Sequence, residues 1–244
     1  MTYTASAPDS LRQHYEALCR RIEAAARRCG RRSEELTLIA VTKTHPAETV
    51  RQALTLGMRD FGENRVQEAE PKILELGADA ARWHLIGHLQ ANKARRAIKL
   101  FDMIHSLDSV SLAQRLNRLC AEEGRAKLPV LIQLDLAGEE TKTGIMENDL
   151  PALLEVLPDC DHLSLVGLMT LPPLFEDPEG VRAFFRKLRE VRDALQRKGH
   201  FGSAPGELST GMTHDFEVAI EEGATMLRIG TAIFGERQTA NRTC

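Results

Sequence analysis

The residues equipped for chemistry fall in separate stretches: Lys43, at the end of an apolar run; Ser209-Thr-Gly-Met-Thr213; and Arg228-Ile-Gly-Thr231. Lys43 closes Leu36-Thr-Leu-Ile-Ala-Val-Thr-Lys43, a β-branched apolar run of the kind that forms a strand buried on both faces. Thr44, His45 and Pro46 follow, then an amphipathic stretch, so the chain turns from strand into helix directly after the lysine. In parallel α/β architectures that junction is where reactive groups sit. Taken alone, Lys43 is more simply a side chain reaching solvent from a strand end. Ser209 to Thr213 stand between a strand and a helix, where hydroxyls and backbone N–H groups can face an anion. Gly230 and Thr231 add a close backbone approach and another hydroxyl. Each piece is ordinary turn chemistry by itself. Together they read as a phosphate site after the last two strands, a recurring feature of barrels.

The elements that must position these groups alternate regularly. An amphipathic helix from Ser10 to near Gly30, capped by Ser10 or Asp9, precedes the first strand; its many arginines read as a solvated face. Further strand candidates are Arg59–Glu63, Trp83–Leu89, Asp102–Leu107, Leu128–Leu136, Leu163–Leu171, Glu207–Gly211 and Thr225–Phe234. Helical stretches separate them, one of which carries Pro71 as an expected kink or break. This alternation predicts an α/β fold, a single-domain (β/α)₈ TIM-type barrel with an extra N-terminal helix. If the short strands near Asp60 and Ser209 failed to form, an open α/β sheet would be the answer. The barrel is expected over residues 10–237, with tails at 1–9 and 238–244.

A net charge of −3 gives no electrostatic case for nucleic acid or membrane binding. Five cysteines without a C-x-x-C spacing read as reduced thiols. With no membrane-length apolar run and no signal-peptide pattern, a cytoplasmic protein is expected. His84, His88 and His105 lack a ligand motif, so no metal is expected.

A lysine amine facing a phosphate cradle suits a phosphorylated aldehyde, and pyridoxal 5′-phosphate fits, with the lysine forming a Schiff base. Ala40-Val-Thr-Lys-Thr-His-Pro46, Phe61-Gly-Glu-Asn-Arg-Val-Gln-Glu68, Trp83-His-Leu-Ile-Gly-His-Leu-Gln-Ala-Asn-Lys93, Leu208-Ser-Thr-Gly-Met-Thr-His-Asp215 and Arg228-Ile-Gly-Thr-Ala-Ile-Phe-Gly235 closely resemble the pyridoxal phosphate homeostasis proteins. That resemblance implies a fold-type III cofactor-binding barrel, similar to the N-terminal domain of alanine racemase, over nearly the whole chain. It implies Lys43 as the Schiff-base lysine, Asn64 beside the ring's 3-hydroxyl and His84 as a pocket wall. Ser209, Gly211, Gly230 and Thr231 become the phosphate cradle. Arg228 corresponds to the arginine at the pyridine nitrogen of alanine racemase, and a contact with the phosphate is the other possibility. The chain departs from the common family pattern at Thr210 and at Thr213-His214.

The implied role is binding and homeostasis of pyridoxal phosphate without substantial catalysis, with apo forms of enzymes that use this cofactor as partners. The alternative is an amino-acid racemase. Its second base, a tyrosine in the related racemases, has no visible counterpart, because the only tyrosines are Tyr3 and Tyr15. Lys142, in the loop after the fifth strand, is a further candidate amine for moving cofactor in or out.

Overall fold

Short stretches of two to eight residues form the strands, and amphipathic stretches between most of them form the helices. In the computed structural model, which describes residues 7–138 and 143–235, the chain opens with α1 (Ala7–Arg28). There follow β1 (Thr37–Val41), α2 (Ala47–Thr55), β2 (Asp60–Glu63), α3 (Val66–Leu76), β3 (Arg82–Leu85), α4 (Ala94–Leu100), β4 (Met103–Leu107) and α5 (Val110–Glu122). The second half comprises β5 (Leu128–Asp135), β6 (Ile145–Met146), α6 (Leu150–Val156), β7 (Leu163–Thr170), α7 (Arg182–Arg197), β8 (Glu207–Ser209), α8 (Phe216–Glu221), β9 (Met226–Ile229) and α9 (Thr231–Phe234).

The pairings run β1-β2-β3-β4-β5-β7-β8-β9 and back to β1, all parallel, so the sheet closes into an eight-stranded barrel. The short strand β6 lies outside the ring, pairing with the last residues of β5 at Leu134↔Ile145. Both of the short strands on which closure turns, β2 and β8, are present and paired on each side. Side chains alternate across each strand, dividing the core. Ile39, Leu131, Met169 and Met226 form a small cluster inside the ring, while Phe61, Trp83, Leu85 and Ile104 belong to the large cluster under the helices.

Several boundaries differ from the sequence expectation. Helix α1 begins at Ala7 rather than Ser10, consistent with Pro8, whose fixed φ suits a first helical turn. Helix α3 runs through Pro71 without a break; the carbonyl four residues back belongs to exposed Gln67, so water can satisfy it. Strand β3 ends at Leu85, because at Gly87 the chain backs onto β2's continuation, where a Cβ would stand 2.3 Å from the Asn64 carbonyl oxygen. The expected strand Thr225–Phe234 is strand only to Ile229; Gly230 turns it into α9. The arginines of α1 are not simply solvated. Arg21 reaches Glu217 at 2.6 Å and Arg28 reaches Glu221 at 2.8 Å, tying the first helix to α8. Lys142 lies outside the described residues, as do residues 1–6 and 236–244.

Gly167 in β7 reports on ring closure. A Cβ there would lie 2.2 Å from the Glu207 carbonyl oxygen of β8. Gly167→Ala is therefore expected to destabilise the fold by about 1–3 kcal/mol, read as a lowered midpoint in a urea melt.

Candidate functional site

Lys43 sits two residues beyond β1 on a turn whose geometry is demanding. Thr44 has φ +66°, the only non-glycine residue with positive φ among the described residues. Such a turn persists only when its surroundings hold it. Here Thr42 is held from several directions. Its N–H donates to the Gly62 carbonyl at 3.0 Å and its hydroxyl to Glu63 Oε1 at 2.7 Å. Lys72 of α3 donates through Nζ to both the Thr42 carbonyl and Glu63 Oε1, each at 2.7 Å. Glu63 is wholly buried and Lys72 nearly so. Burial pushes the Glu63 carboxyl up, against the opposing pull of Lys72.

Lys72 is not among the residues expected at the site from sequence. The signal was present, since Val66, Ala69 and Lys72 recur at helical spacing and put the lysine on the buried stripe of α3.

At the C-terminal mouth of the barrel lies a cavity of about 480 Å³, within the size range of small-molecule sites. It brings together Lys43, Asn64, Arg228, Gly230 and Thr231 with Thr213 of the hydroxyl-rich loop after β8. Thr213 Oγ1 accepts from the Ala232 N–H at 3.2 Å, which ties the loop after β8 to the start of α9. At Gly230 a Cβ would approach the Val41 carbonyl oxygen to 3.3 Å, so a glycine lets β9 turn close over β1.

Three of the sequence-predicted residues do not line this cavity. The hydroxyl of Ser209 points into the ring, at 2.7 Å from Arg228 Nη1 and 2.9 Å from His105 Nδ1. Gly211 forms the turn behind the loop, with φ +91°, its carbonyl accepting from the Arg228 N–H at 2.9 Å. A Cβ there would meet the Ala219 Cβ at 2.7 Å. His84 is buried within β3, and the wall it was expected to form is made by Ile86 and Gly87, further along the chain. Ser209 and His84 face the barrel interior, as Arg228 does, but lie below the cavity, a depth that a single sequence does not specify, while Gly211 is held behind its loop.

Arg228 is buried, yet it lines the cavity floor. Its Nη2 donates to the Thr170 carbonyl at 2.9 Å. Burial lowers its pKa to about 10, with Asp215 opposing, so it remains a cation at neutral pH. Asp215 is itself raised by burial and accepts from the Met212 N–H at 2.6 Å. The buried Thr210 hydroxyl has no hydrogen-bond partner among the described residues.

A primary amine, a guanidinium, two threonine hydroxyls and a close-approach glycine around one cavity fit a ligand carrying an aldehyde and an anionic group. These donors match pyridoxal phosphate in chemistry and in the room available.

Comparison with known proteins agrees with this fold. The model of the alanine racemase N-terminal domain family matches residues 14–238. A relative from Aquifex aeolicus, named pyridoxal phosphate homeostasis protein, is 44% identical over 218 residues, covering 89% of this chain and 94% of its own. One of the same name from Escherichia coli K12 is 42% identical over 231 residues, covering 91% and 94%. The solved structure of PipY from Synechococcus elongatus with PLP bound superposes with a TM-score of 0.80 at 38% identity, covering 92% of this chain and all of that one. Alanine racemase from Corynebacterium glutamicum, at 19% identity and TM-score 0.63, shares the fold over 93% of this chain and 62% of its own.

The clamp behind Lys43 has an energetic signature. Lys72→Met leaves Glu63 buried without its counter-charge and should destabilise the protein by about 3–5 kcal/mol at neutral pH. A buried carboxyl with a raised folded-state pKa favours the folded state as it takes up a proton. The deficit of the variant should therefore narrow as pH falls toward the carboxylate range, which urea melts at several pH values would read.

Proposed function

The chain belongs to the pyridoxal phosphate homeostasis protein family, and we propose that it holds pyridoxal 5′-phosphate covalently through Lys43 and serves the cofactor's supply rather than amino-acid turnover. The observation that carries this reading is the meeting of Lys43, Arg228, Thr213 and Thr231 around one cavity at the barrel mouth. When bound, pyridoxal phosphate supplies an aldehyde that amines capture reversibly and a ring that can stabilise neighbouring negative charge.

The chain's own residues divide the work. Lys43 offers its amine from a turn that Thr42, Glu63 and Lys72 hold in place. Thr213, Gly230 and Thr231 hold the phosphate with hydroxyl and backbone donors, while Ser209 and Gly211 support the residues around them. Asn64 faces the ring's hydroxyl. Arg228 directs a permanently charged donor at the ring nitrogen, which keeps a proton off that nitrogen and weakens the ring as an electron sink. His84 acts from beneath the cavity floor.

Racemisation would need proton carriers on both faces of the substrate. Tyr15 packs beside Cys19 on α1 and lines a different cavity from that of Lys43. This supports binding over catalysis. A reversible covalent hold suits a protein that keeps a reactive aldehyde sequestered and passes it to apo-enzymes. An open cleft of about 630 Å³, lined in part by Arg65, His88 and Lys93, adjoins the cavity at Asn64 and Gly87 and gives the cofactor a route of exchange. The free thiols of Cys19, Cys29, Cys120 and Cys160 are in keeping with a cytoplasmic setting.

Borohydride reduction of the loaded protein followed by peptide mass analysis should find the pyridoxyl group on Lys43; a label on another lysine with Lys43 unmodified would refute the assignment. Solvent-deuterium exchange at Cα should stay at background across a panel of amino acids. Rapid, saturable exchange that disappears in Lys43→Ala would establish an enzyme instead. The double variant Thr213→Val/Thr231→Val should weaken cofactor binding by about two to four orders of magnitude, since hydrogen bonds to charged groups contribute ~1.5–3 kcal/mol each. Unchanged affinity would mean that the phosphate lies elsewhere.

A further inference from the structure

The barrel interior holds a run of polar side chains that the binding reading leaves unexplained. Starting from the cavity floor, Arg228 Nη1 donates to Ser209 Oγ at 2.7 Å, and Ser209 Oγ lies 2.9 Å from His105 Nδ1. His105 Nε2 lies 3.0 Å from His84 Nδ1, and His84 Nε2 lies 2.9 Å from Asp60 Oδ1. Arg82 Nη2 closes the run at 2.6 Å from Asp60 Oδ2. Asp60 and Arg82 open their strands, so this end of the run lies at the barrel mouth opposite the cavity. Every member except Arg82 is buried.

The ends set the direction of the whole run. A guanidinium can only donate, and a carboxylate can only accept. Asp60 is buried, which raises its pKa, but the hydrogen bonds from His84 and Arg82 outweigh this and hold it below the usual carboxylate range. His84 must therefore present Nε2–H to Asp60, leaving Nδ1 to accept from His105 Nε2–H. The bare His105 Nδ1 then accepts the Ser209 hydroxyl proton, and a serine lone pair is left for Arg228. In this arrangement each hydrogen has an acceptor. The reverse sense at His105 would turn the Ser209 proton away from its imidazole neighbour, with Arg228 on the other side able only to donate. Burial, with the positive charge of Arg228 nearby, also lowers the pKa of His105, which disfavours a second proton.

We propose that Ser209, His105 and His84 form a one-directional hydrogen-bond chain, anchored by Asp60, which positions the Arg228 guanidinium at the cavity floor. These three are positioning residues, and the chain links the cofactor-facing cation to an ion pair at the far mouth of the barrel. Only the effect on the cofactor rests on the binding reading above; the direction of the chain does not.

The two parts are tested separately. Long-range ¹H–¹⁵N correlation spectra of the cofactor-free protein should find His84 and His105 each protonated on Nε2 alone. A proton on His105 Nδ1, alone or as a second proton, would overturn the proposal whether or not the cofactor binds. For the loaded protein, His105→Phe removes both the donor and the acceptor and should raise the pyridoxal phosphate dissociation constant about tenfold, as for loss of one charge-assisted hydrogen bond. It should also shift the visible absorption band. His105→Gln keeps one donor and one acceptor and should restore most of both. A Phe variant matching wild type in affinity and spectrum would refute the positioning role, and so would a Gln variant no better than Phe. If the Phe variant fails to fold, Ser209→Ala takes its place, with loss of affinity supporting the role and unchanged affinity refuting it.

Discussion

A guanidinium taken wholly out of water has to be matched by partners that the fold supplies, and much of the barrel interior follows from that demand. Arg228 is such a group. Thr170 offers a carbonyl from β7, Ser209 a hydroxyl from β8, and Asp215 a negative charge from the start of α8. Each partner then needs one of its own, which explains why one side of the ring is polar while Ile39, Leu131, Met169 and Met226 fill the remainder with apolar volume. An aliphatic residue in place of the arginine would pack at lower electrostatic cost. That the interior instead accommodates a buried cation argues for a task at the cavity, where the same side chain is exposed to a ligand.

The neighbouring strand β1 obeys a similar logic with a different device. Lys43 is presented by a backbone turn at positive φ, and the restraint comes from the Glu63–Lys72 pair behind it. One lysine thus offers its amine to the cavity while another, buried behind the turn, holds the backbone that carries the first. A reactive amine on a loosely held loop would sample many directions; the buried pair narrows that sampling before any ligand arrives.

Much of this was legible in the sequence, and the failures have a common cause. The run ending at Lys43, the hydroxyl-rich loop after β8 and the Gly230-Thr231 turn are local patterns, and all three meet at one mouth because a parallel barrel gathers its strand ends there. What could not be read was depth and distance. Ser209 carries the residue type of an anion ligand but lies below the cavity, and nothing within its own loop fixes how deep in the barrel it sits. His105 and Ser209 are 104 residues apart along the chain, so their hydrogen bond exists only after the ring has closed. Lys72 went unread, although its spacing with Val66 and Ala69 places it on the buried stripe of α3. The expected last strand ran on into α9, since Thr231-Ala-Ile-Phe234 is as apolar as a strand and only Gly230 marks the turn.

The seam between β1 and β9 joins the first strand of the ring to the last, and α1 is stitched across it to α8 by Arg21 and Arg28. Contacts spanning nearly the full chain are slow to form, because the intervening loop must be closed before they are rewarded. Arg228 arrives on that final strand. Until β9 docks, the inward-facing imidazoles lack the donor that terminates their run, and the floor of the pocket does not exist. Ring closure and the completion of the pocket are thus one kinetic event. On the ribosome, the amine-bearing turn emerges long before the floor does, so a half-made chain carries its lysine without the pocket that would retain a ligand. Occupancy of the finished pocket would in turn slow the reopening of the seam, making the ligand a brake on unfolding as much as a passenger.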